Sequence, residues 1–175
     1  LLANKEGSIS HNTTIFKRQL ADRWDYIYNK CNVASNNKAI ELGKISSIKR
    51  GSFTHIELIK AGCEYVHSTS YKNGDILKYK NLLPQKFKNK NYAKSGDIII
   101  TRVGSRSIGK VAFIQSGKIL ISDCVLIIRT SKKYQKLVFK YLSSEDFKKW
   151  ISINSHGVCA QLISKIDLCN LKIQI

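Results

Sequence analysis

The stretch SGDIIITRVGS, residues 95–105, lies in the most strand-like part of the sequence and decides the fold class. Residues 97–102, 110–115 and 119–129 are rich in isoleucine and valine, and turns that contain glycine separate them. Apolar, β-branched runs of this length between turn residues are typical of β-strands. We therefore expect a mainly β core around this stretch.

Helical patterns flank this region on both sides. Between residues 14 and 28 the apolar side chains recur at roughly helical spacing, which predicts an N-terminal helix. Two helices near the carboxyl end are predicted by one face with Tyr134, Leu137, Val138, Tyr141 and Leu142, and by a second with Phe147, Trp150 and Ile151. The predicted fold class is α+β, a single domain with a mainly β core, an N-terminal helix and a C-terminal helical section. We expect residues 1–37 to form the N-terminal helix and linker, and residues 38–175 to form the main domain.

Shorter patterns fill the rest of the chain. Residues 78–94, which hold Pro84, are predicted to form a long exposed connection. The other predicted elements are a helical turn at 39–43, strands at 45–49 and 64–67, a helix at 52–60 capped by Ser52, a turn at 72–75, a helix near 164–168 and a strand at 171–175.

The charge of the chain favours a polyanionic partner. Lys and Arg number 30 against 12 Asp and Glu, a formal net charge of +18. Basic side chains displace the counterions condensed on phosphates, so nucleic acid, and DNA in particular, is the expected partner. A coding bias toward A/T explains abundant lysine but gives no reason for scarce acids. The sequence has no long apolar run, which argues against a membrane partner.

The cysteines and the missing methionine bear on location and context. Five cysteines are scattered, with no paired spacing for a zinc site or a disulfide framework. We expect reduced thiols in a cytoplasmic protein, with no metal and no cofactor. A chain without any Met, including at position 1, is expected to be a segment of a longer polypeptide.

The segment GSRSIGK, residues 104–110, matches the first part of a phosphate-binding P-loop. Position 111 is Val where that motif needs Ser or Thr, and the residues after Lys110 favour a strand over the required helix. The segment is then either a glycine loop that approaches a DNA backbone or an ordinary hairpin turn. A nuclease built on Asp146-Phe147-Lys148 lacks a second acid nearby and is better interpreted as a solvated helix face. A methyltransferase tetrapeptide with two adjacent prolines is absent, so we expect no catalytic residues.

Polar side chains with the chemistry to contact DNA fall in three segments and in the glycine loop. Arg recognises guanine, and Asn or Gln recognises adenine, through paired hydrogen bonds. Capping and turn formation are the alternative role for the Ser, Thr and Asn side chains. The candidate DNA-contacting residues are Lys49, Arg50, Ser52, Thr54, His55, His67, Ser70, Arg102, Ser105, Arg106, Ser107, Lys110, Asn154, His156 and Gln161.

The order of the glycine-containing blocks resembles a known family. The blocks are LGKISSIKRG (42–51), GCEYV (62–66), SGDIIITRVGS (95–105), IGKVA (108–112) and Ser122-Asp123, with weaker pieces at 23–25, 141–144, 157, 163–164 and 168–175. Together they resemble the DNA specificity domain of type I restriction–modification S subunits. Similar domains end single-chain N6-adenine methyltransferases and restriction–methylation fusions.

The resemblance implies a non-catalytic target-recognition domain for a restriction or adenine-methylation system. Its implied partners are double-stranded DNA, a methyltransferase domain or subunit, and a restriction subunit. The recognition residues of the family lie in variable loops, so the resemblance assigns no base contact here. Two other roles remain open, namely a structural module that docks a catalytic partner and an RNA-binding domain.

Overall fold

The computed structural model describes residues 8–9, 13–14, 39–80, 83–84, 87, 90–157 and 160–174. The chain divides into two compact units, 1–39 and 40–175. In the first unit β1 (Ser8–Ile9) pairs antiparallel with β2 (Thr13–Thr14). Thr14 therefore lies in a strand, and the remaining residues of the predicted N-terminal helix and its linker, 15–37, lie outside the described residues.

The second unit mixes strands and helices, which confirms the predicted α+β class. Its helices are α1 (Leu42–Ile45), α2 (His55–Lys60), α3 (Lys132–Leu142), α4 (Glu145–Asn154) and α5 (Lys165–Asn170). Its strands, with β3 beginning at the unit boundary, are β3 (Ala39–Glu41), β4 (Ser46–Arg50), β5 (Tyr65–Val66), β6 (Asp75–Lys78), β7 (Tyr92–Lys94), β8 (Ile98–Thr101), β9 (Val111–Ser116), β10 (Lys118–Ile121), β11 (Val125–Thr130) and β12 (Lys172–Gln174).

A five-stranded sheet with the order β4-β11-β8-β9-β6 forms the centre of this unit. All neighbours in it are antiparallel except β6 and β9, which are parallel. A second sheet has the order β5-β10-β7, and β12 pairs with β3. No helix in the described part of the chain is long and apolar enough to span a membrane.

The inner strands β8 and β11 of the central sheet are buried on both faces, which explains their unbroken apolar runs. Ile98 and Ile100 of β8 face a core shared with the C-terminal helices. Ile99 faces the opposite core, which the second sheet completes. Strand β11 alternates in the same way. A strand covered on both faces needs apolar residues at every position, so its sequence loses the alternation of a half-exposed strand.

The C-terminal helices cover one face of the sheet, as their apolar positions predict. Val138 and Leu142 of α3 and Phe147 and Ile151 of α4 are buried in that core. The Ser144 hydroxyl caps α4 by accepting a hydrogen bond from the Phe147 N–H. The break that the sequence predicts between the two helices is therefore confirmed.

Local differences from the sequence-based expectations have identifiable causes. The cap of α2 is Thr54 rather than Ser52, because Thr54 and Glu57 exchange hydrogen bonds in a capping box. Residues 39–41 form a strand rather than a helical turn, because they pair with β12 from the far end of the sequence. Part of the predicted connection 78–94 is strand β7, which joins the second sheet.

The thiols and the proposed nuclease triplet have ordinary surroundings. Cys63, Cys124 and Cys169 are free and partly buried, and the other two cysteines lie outside the described residues. On α4, Asp146 and Lys148 are exposed and Phe147 is buried, as expected for a solvated helix face.

An internal ion pair ties the start of β8 to the end of β11. Asp97 is 1% exposed, and its two carboxylate oxygens accept hydrogen bonds from Arg129 Nε at 2.8 Å and Nη2 at 2.7 Å. The Lys94 N–H donates to the same carboxylate at 2.8 Å. The hydrogen bonds that Arg129 donates to Asp97, together with the charge of that carboxylate, raise the pKa of Arg129. The conspicuous Gly96-Asp97 of the sequence is thus a structural element.

We expect Asp97→Asn to destabilise the domain by about 3 kcal/mol, because the amide cannot accept all three hydrogen bonds and leaves Arg129 without its counter-charge. Urea unfolding measures the change. The matched control is Asp146→Asn, which removes an exposed carboxylate 3.9 Å from Lys149 and should leave the unfolding midpoint nearly unchanged. An equal midpoint for both variants would contradict the role given to Asp97.

Candidate nucleic-acid interface

The carboxyl ends of four strands meet at one turn. Strands β4 and β8 both run antiparallel to β11, and their last residues, Arg50 and Thr101, lie opposite Leu126 and Val125 at its start. Strands β5 and β10 run parallel and end together. The turn 122–124, which joins β10 to β11, therefore lies where all four ends converge. We call Arg50, His55, His67, Arg102, Ser122 and Asp123 the strand-end cluster.

An ion pair holds this turn against the end of β4. Arg50 donates from Nε to the Asp123 carbonyl at 3.0 Å and from Nη2 to the Asp123 carboxylate at 2.8 Å. The Asp123 N–H in turn donates to the Phe53 carbonyl at 2.7 Å. Asp123 thus connects the segment after β4 to the turn after β10.

Gly51 allows this close approach. A Cβ built on Gly51 would lie 2.2 Å from the Ser122 carbonyl oxygen and 2.5 Å from that of Ile121. Backbone atoms cannot move aside as a flexible side chain can, so any larger residue would push the turn away. The Arg50-Gly51 pair in the sequence reflects this contact.

Two stacked imidazoles lie beside the turn. The rings of His55 and His67 are 4.3 Å apart between centroids and 29° from parallel. Each Nδ1 is hydrogen-bonded to a hydroxyl, that of His55 to Tyr65 at 2.8 Å and that of His67 to Ser122 at 2.9 Å. Neither Nε2 has a hydrogen-bond partner in the described part of the chain. Both rings therefore keep one nitrogen available to a ligand.

Burial, together with the charge of His55, lowers the pKa of His67, and Asp123 opposes the shift. His67 is consequently neutral at neutral pH. Its Nε2 is a donor or an acceptor according to the tautomer that the hydrogen bond to Ser122 selects.

Arg102 lies directly after β8 and is held by its main chain. Its N–H donates to the Cys124 carbonyl, and its carbonyl accepts from the Ile163 N–H, both at 2.9 Å. Its guanidinium has no hydrogen-bond partner among the described residues. Burial and the nearby charge of Arg50 lower the pKa of Arg102, while Asp123 and Cys124 oppose this shift.

The glycine loop 104–110 continues from Arg102. Gly104 has a φ of +116°, a left-handed conformation that favours glycine, and its N–H donates to the Gln161 carbonyl at 3.0 Å. Ser105 and Arg106 are exposed at its tip, and Lys110 is half-buried at its base. Strand β9 follows directly, where a P-loop requires a helix. The loop is therefore a connection between two strands, as the sequence indicated.

The third polar segment of the sequence, which contains Asn154, His156 and Gln161, lies next to the glycine loop. Leu162 forms isolated β-bridges with both Val103 and His156. The His156 Nε2 lies 3.3 Å from the Asp167 carboxylate. Because of these bridges, His156 and Gln161 border the glycine loop.

Other candidate side chains are hydrogen-bonded within the protein. Three hydroxyls accept from main-chain N–H groups, namely Ser52 from Asn91, Thr54 from Glu57 and Ser70 from His67. The Ser107 hydroxyl donates to the Val103 carbonyl, and the Asn154 amide donates to the Trp150 carbonyl. These five side chains are therefore already engaged in hydrogen bonds within the protein. Lys49 is exposed on edge strand β4.

Sequence reasoning missed the residues that join the cluster. Asp123, Ser122 and Tyr65 appear in the quoted blocks but received no role in the site. Asp123 is 73 positions from Arg50, so no local pattern reveals their pairing. The sequence predicts one strand over residues 119–129, which is wrong at this turn, because β10 ends at Ile121 and β11 begins at Val125. The polar Ser122-Asp123 pair within that apolar run is the one local signal of the break. In the described part of the chain no group of His, Cys, Asp and Glu is arranged to hold a metal ion.

The lowered pKa of His67 predicts a loss of stability in acid. The unfolded chain binds a proton at the ordinary value of 6.5 while folded His67 resists it, so the free energy of unfolding falls as the pH drops below that value and levels off below the folded pKa. Urea unfolding at about pH 8 and at about pH 5 measures the difference in the free energy of unfolding between these conditions. His67→Gln should reduce it, whereas an unchanged difference would contradict the assignment to His67.

Comparison with known proteins places this fold. No protein-family model and no curated protein sequence matches the chain. Among solved structures, the type IIG restriction endonuclease BpuSI matches with a TM-score of 0.58 and 12% identity over 86% of this chain and 26% of its own. The type I restriction–modification S subunit from M. genitalium gives a TM-score of 0.48 and 16% identity over 80% of this chain and 35% of its own. The HsdS subunit from Thermoanaerobacter tengcongensis gives a TM-score of 0.46 and 16% identity over 78% of this chain and 32% of its own.

This chain thus spans about a third or less of the length of each of these proteins. At such identities the likeness is one of fold. The resemblance that the sequence blocks predict is confirmed at the level of the fold. The match to BpuSI shows that this chain shares the fold of part of that restriction enzyme.

Proposed function

We propose that residues 38–175 form a target-recognition domain that binds double-stranded DNA in a sequence-specific way. The observation that carries this proposal is the convergence of four strand ends, which brings Arg50, His55, His67 and Arg102 together around one turn. These side chains come from three separate segments of the sequence. A site built from loops on a rigid sheet is a common arrangement for recognition.

The cluster has the chemistry of base-edge readout. Guanidinium groups and imidazoles donate hydrogen bonds, and a neutral imidazole also accepts them. The Nε2 atoms of His55 and His67 and the guanidinium of Arg102, which have no hydrogen-bond partner among the described residues, supply such groups. Functional groups that remain available in this way favour an external ligand.

In this proposal the glycine loop contacts the phosphate backbone of the DNA. Arg106 is exposed at its tip, and Lys110 lies at its base. Phosphate contacts position a protein on the duplex, and base contacts determine the sequence it selects. The excess of basic side chains, +18 for the whole chain, adds attraction that does not depend on sequence.

The domain has no catalytic role in this proposal and serves a restriction–modification or adenine-methylation system in the cytoplasm. Its partners would be a methyltransferase domain or subunit and a restriction subunit. The fold shared with BpuSI supports this setting.

A docking module for a catalytic partner, without DNA contact, would need a large exposed apolar patch. In the described part of the chain the exposed large apolar residues lie on three different elements, with only Ile56 and Ile59 sharing α2. Isolated apolar residues are normal on protein surfaces. The distribution therefore favours DNA recognition.

We expect Arg106→Ala and Lys110→Ala each to weaken binding to all duplex sequences alike, because each removes a phosphate contact. The slope of log affinity against log salt concentration should become shallower by about 1 per variant. Fluorescence anisotropy with random-sequence duplexes measures both quantities.

Lys148→Gln is the matched control, because Lys148 is already paired with Glu145 on α4. It should leave the salt dependence of binding nearly unchanged. Wild-type affinity that hardly depends on salt would contradict the electrostatic part of the proposal. A loss confined to one DNA sequence would assign base readout to Arg106 or Lys110 instead.

A further inference from the structure

The strand-end cluster contains two guanidinium groups and one carboxylate that acts on both. Arg50 lies close enough to Arg102 for its charge to lower the pKa of Arg102. Asp123 is bonded to Arg50 and opposes that shift. Two like charges near one carboxylate leave an excess positive charge at this turn.

Arg50 is already occupied within the protein. Its Nε and Nη2 donate to the carbonyl and the carboxylate of Asp123, and its own carbonyl accepts from the Asn91 side-chain amide at 2.8 Å. These three bonds connect β4, the turn 122–124 and the segment before β7. The contacts of Arg50 are those of a structural residue.

Arg102 has the opposite arrangement. Its main chain is fixed on both sides by hydrogen bonds to Cys124 and Ile163. Its side chain is partly buried and makes no hydrogen bond among the described residues. A guanidinium carries five N–H donors in a planar fork, and desolvating these donors without acceptors is unfavourable. An external group with two adjacent acceptors would satisfy them.

We propose that Arg102, and not Arg50, is the arginine of this cluster that binds DNA, and that it does so through a pair of acceptor atoms. Two sources on a duplex offer this chemistry, the O6 and N7 atoms of guanine and two oxygens of one phosphate. Arg50 positions the turn beside it. This inference rests on the proposed DNA-binding function.

The test compares charge-matched variants of the full 175-residue chain. Arg102→Gln removes one charge from the cluster. Lys149→Gln removes one charge from exposed α4 and controls for net charge. The double variant Arg50→Gln with Asp123→Asn removes the internal pair with no change in net charge. Each is measured for thermal stability and for affinity to a random-sequence duplex pool, and each is used to select duplexes from that pool.

Arg102→Gln should bind its best duplex about tenfold or more weakly than the wild type, and its thermal stability should be equal or higher because a like charge near Arg50 is gone. Lys149→Gln should bind nearly as the wild type does. The double variant should lose thermal stability while it keeps more affinity than Arg102→Gln.

The selected sequences separate the two sources of acceptors. If Arg102 reads guanine, Arg102→Gln changes the preferred base at one position, with adenine favoured because glutamine pairs with its N6 and N7 atoms. Replacing that guanine by 7-deazaguanine should weaken wild-type binding and leave the variant unaffected. If Arg102 holds a phosphate, every sequence weakens alike and the selected motif is unchanged.

Two results would overturn the assignment, namely Arg102→Gln binding as tightly as Lys149→Gln, or the double variant losing as much affinity as Arg102→Gln. A wild-type selection that enriches no motif is a different failure. It contradicts the sequence-specific function, while a tenfold loss on unselected duplexes in Arg102→Gln would still support the acceptor role.

Discussion

Strand β11 is hydrogen-bonded to β4 on one side and to β8 on the other, and both of its faces are buried. A one-residue slip of such a strand would exchange the two sets of side chains between cores that are already filled, so its register is fixed. The internal pair between Asp97 and Arg129 secures the far end of the same ladder. With the register fixed, the start of β11 stays opposite the ends of β4 and β8, and the turn 122–124 cannot move independently of them.

The strand-end cluster follows from this constraint. Arg50 and Arg102 approach each other because their strands flank β11, and Asp123 stands between the strand ends because its turn feeds into β11. Gly51 is needed where the main chain passes the turn too closely for a Cβ. The second sheet adds His67 at the end of β5, and His55 stacks on it from α2. Functional groups distant in sequence thus share one edge, and some of them have no hydrogen-bond partner in the part of the chain that the structure describes.

The sequence predicts the individual helices and strands better than it predicts the long-range contacts between them. The Ile98–Ile100 run, the helical faces around Val138 and Phe147 and the strand after Lys110 are local patterns, and all are confirmed. The pairing of Ala39–Glu41 with β12 and of Arg50 with Asp123 depends on residues far apart in the chain, and no window reveals such contacts. Among the candidate residues, local chemistry could not separate Thr54, whose hydroxyl caps a helix, from His55 beside it, whose ring is stacked on His67. Only the fold distinguishes the two.

Amide hydrogen exchange of the full chain, measured free and with random-sequence duplex DNA, tests directly whether the strand ends form the DNA-binding surface. We expect slower exchange on DNA binding in the loops that follow β4, β5, β8 and β10, including residues 104–110. Helix α3 and the start of helix α4, which pack on one face of the central sheet, should change little. Protection confined to those helices, or absent from all four loops, would contradict the claim that the strand ends form the DNA-binding surface.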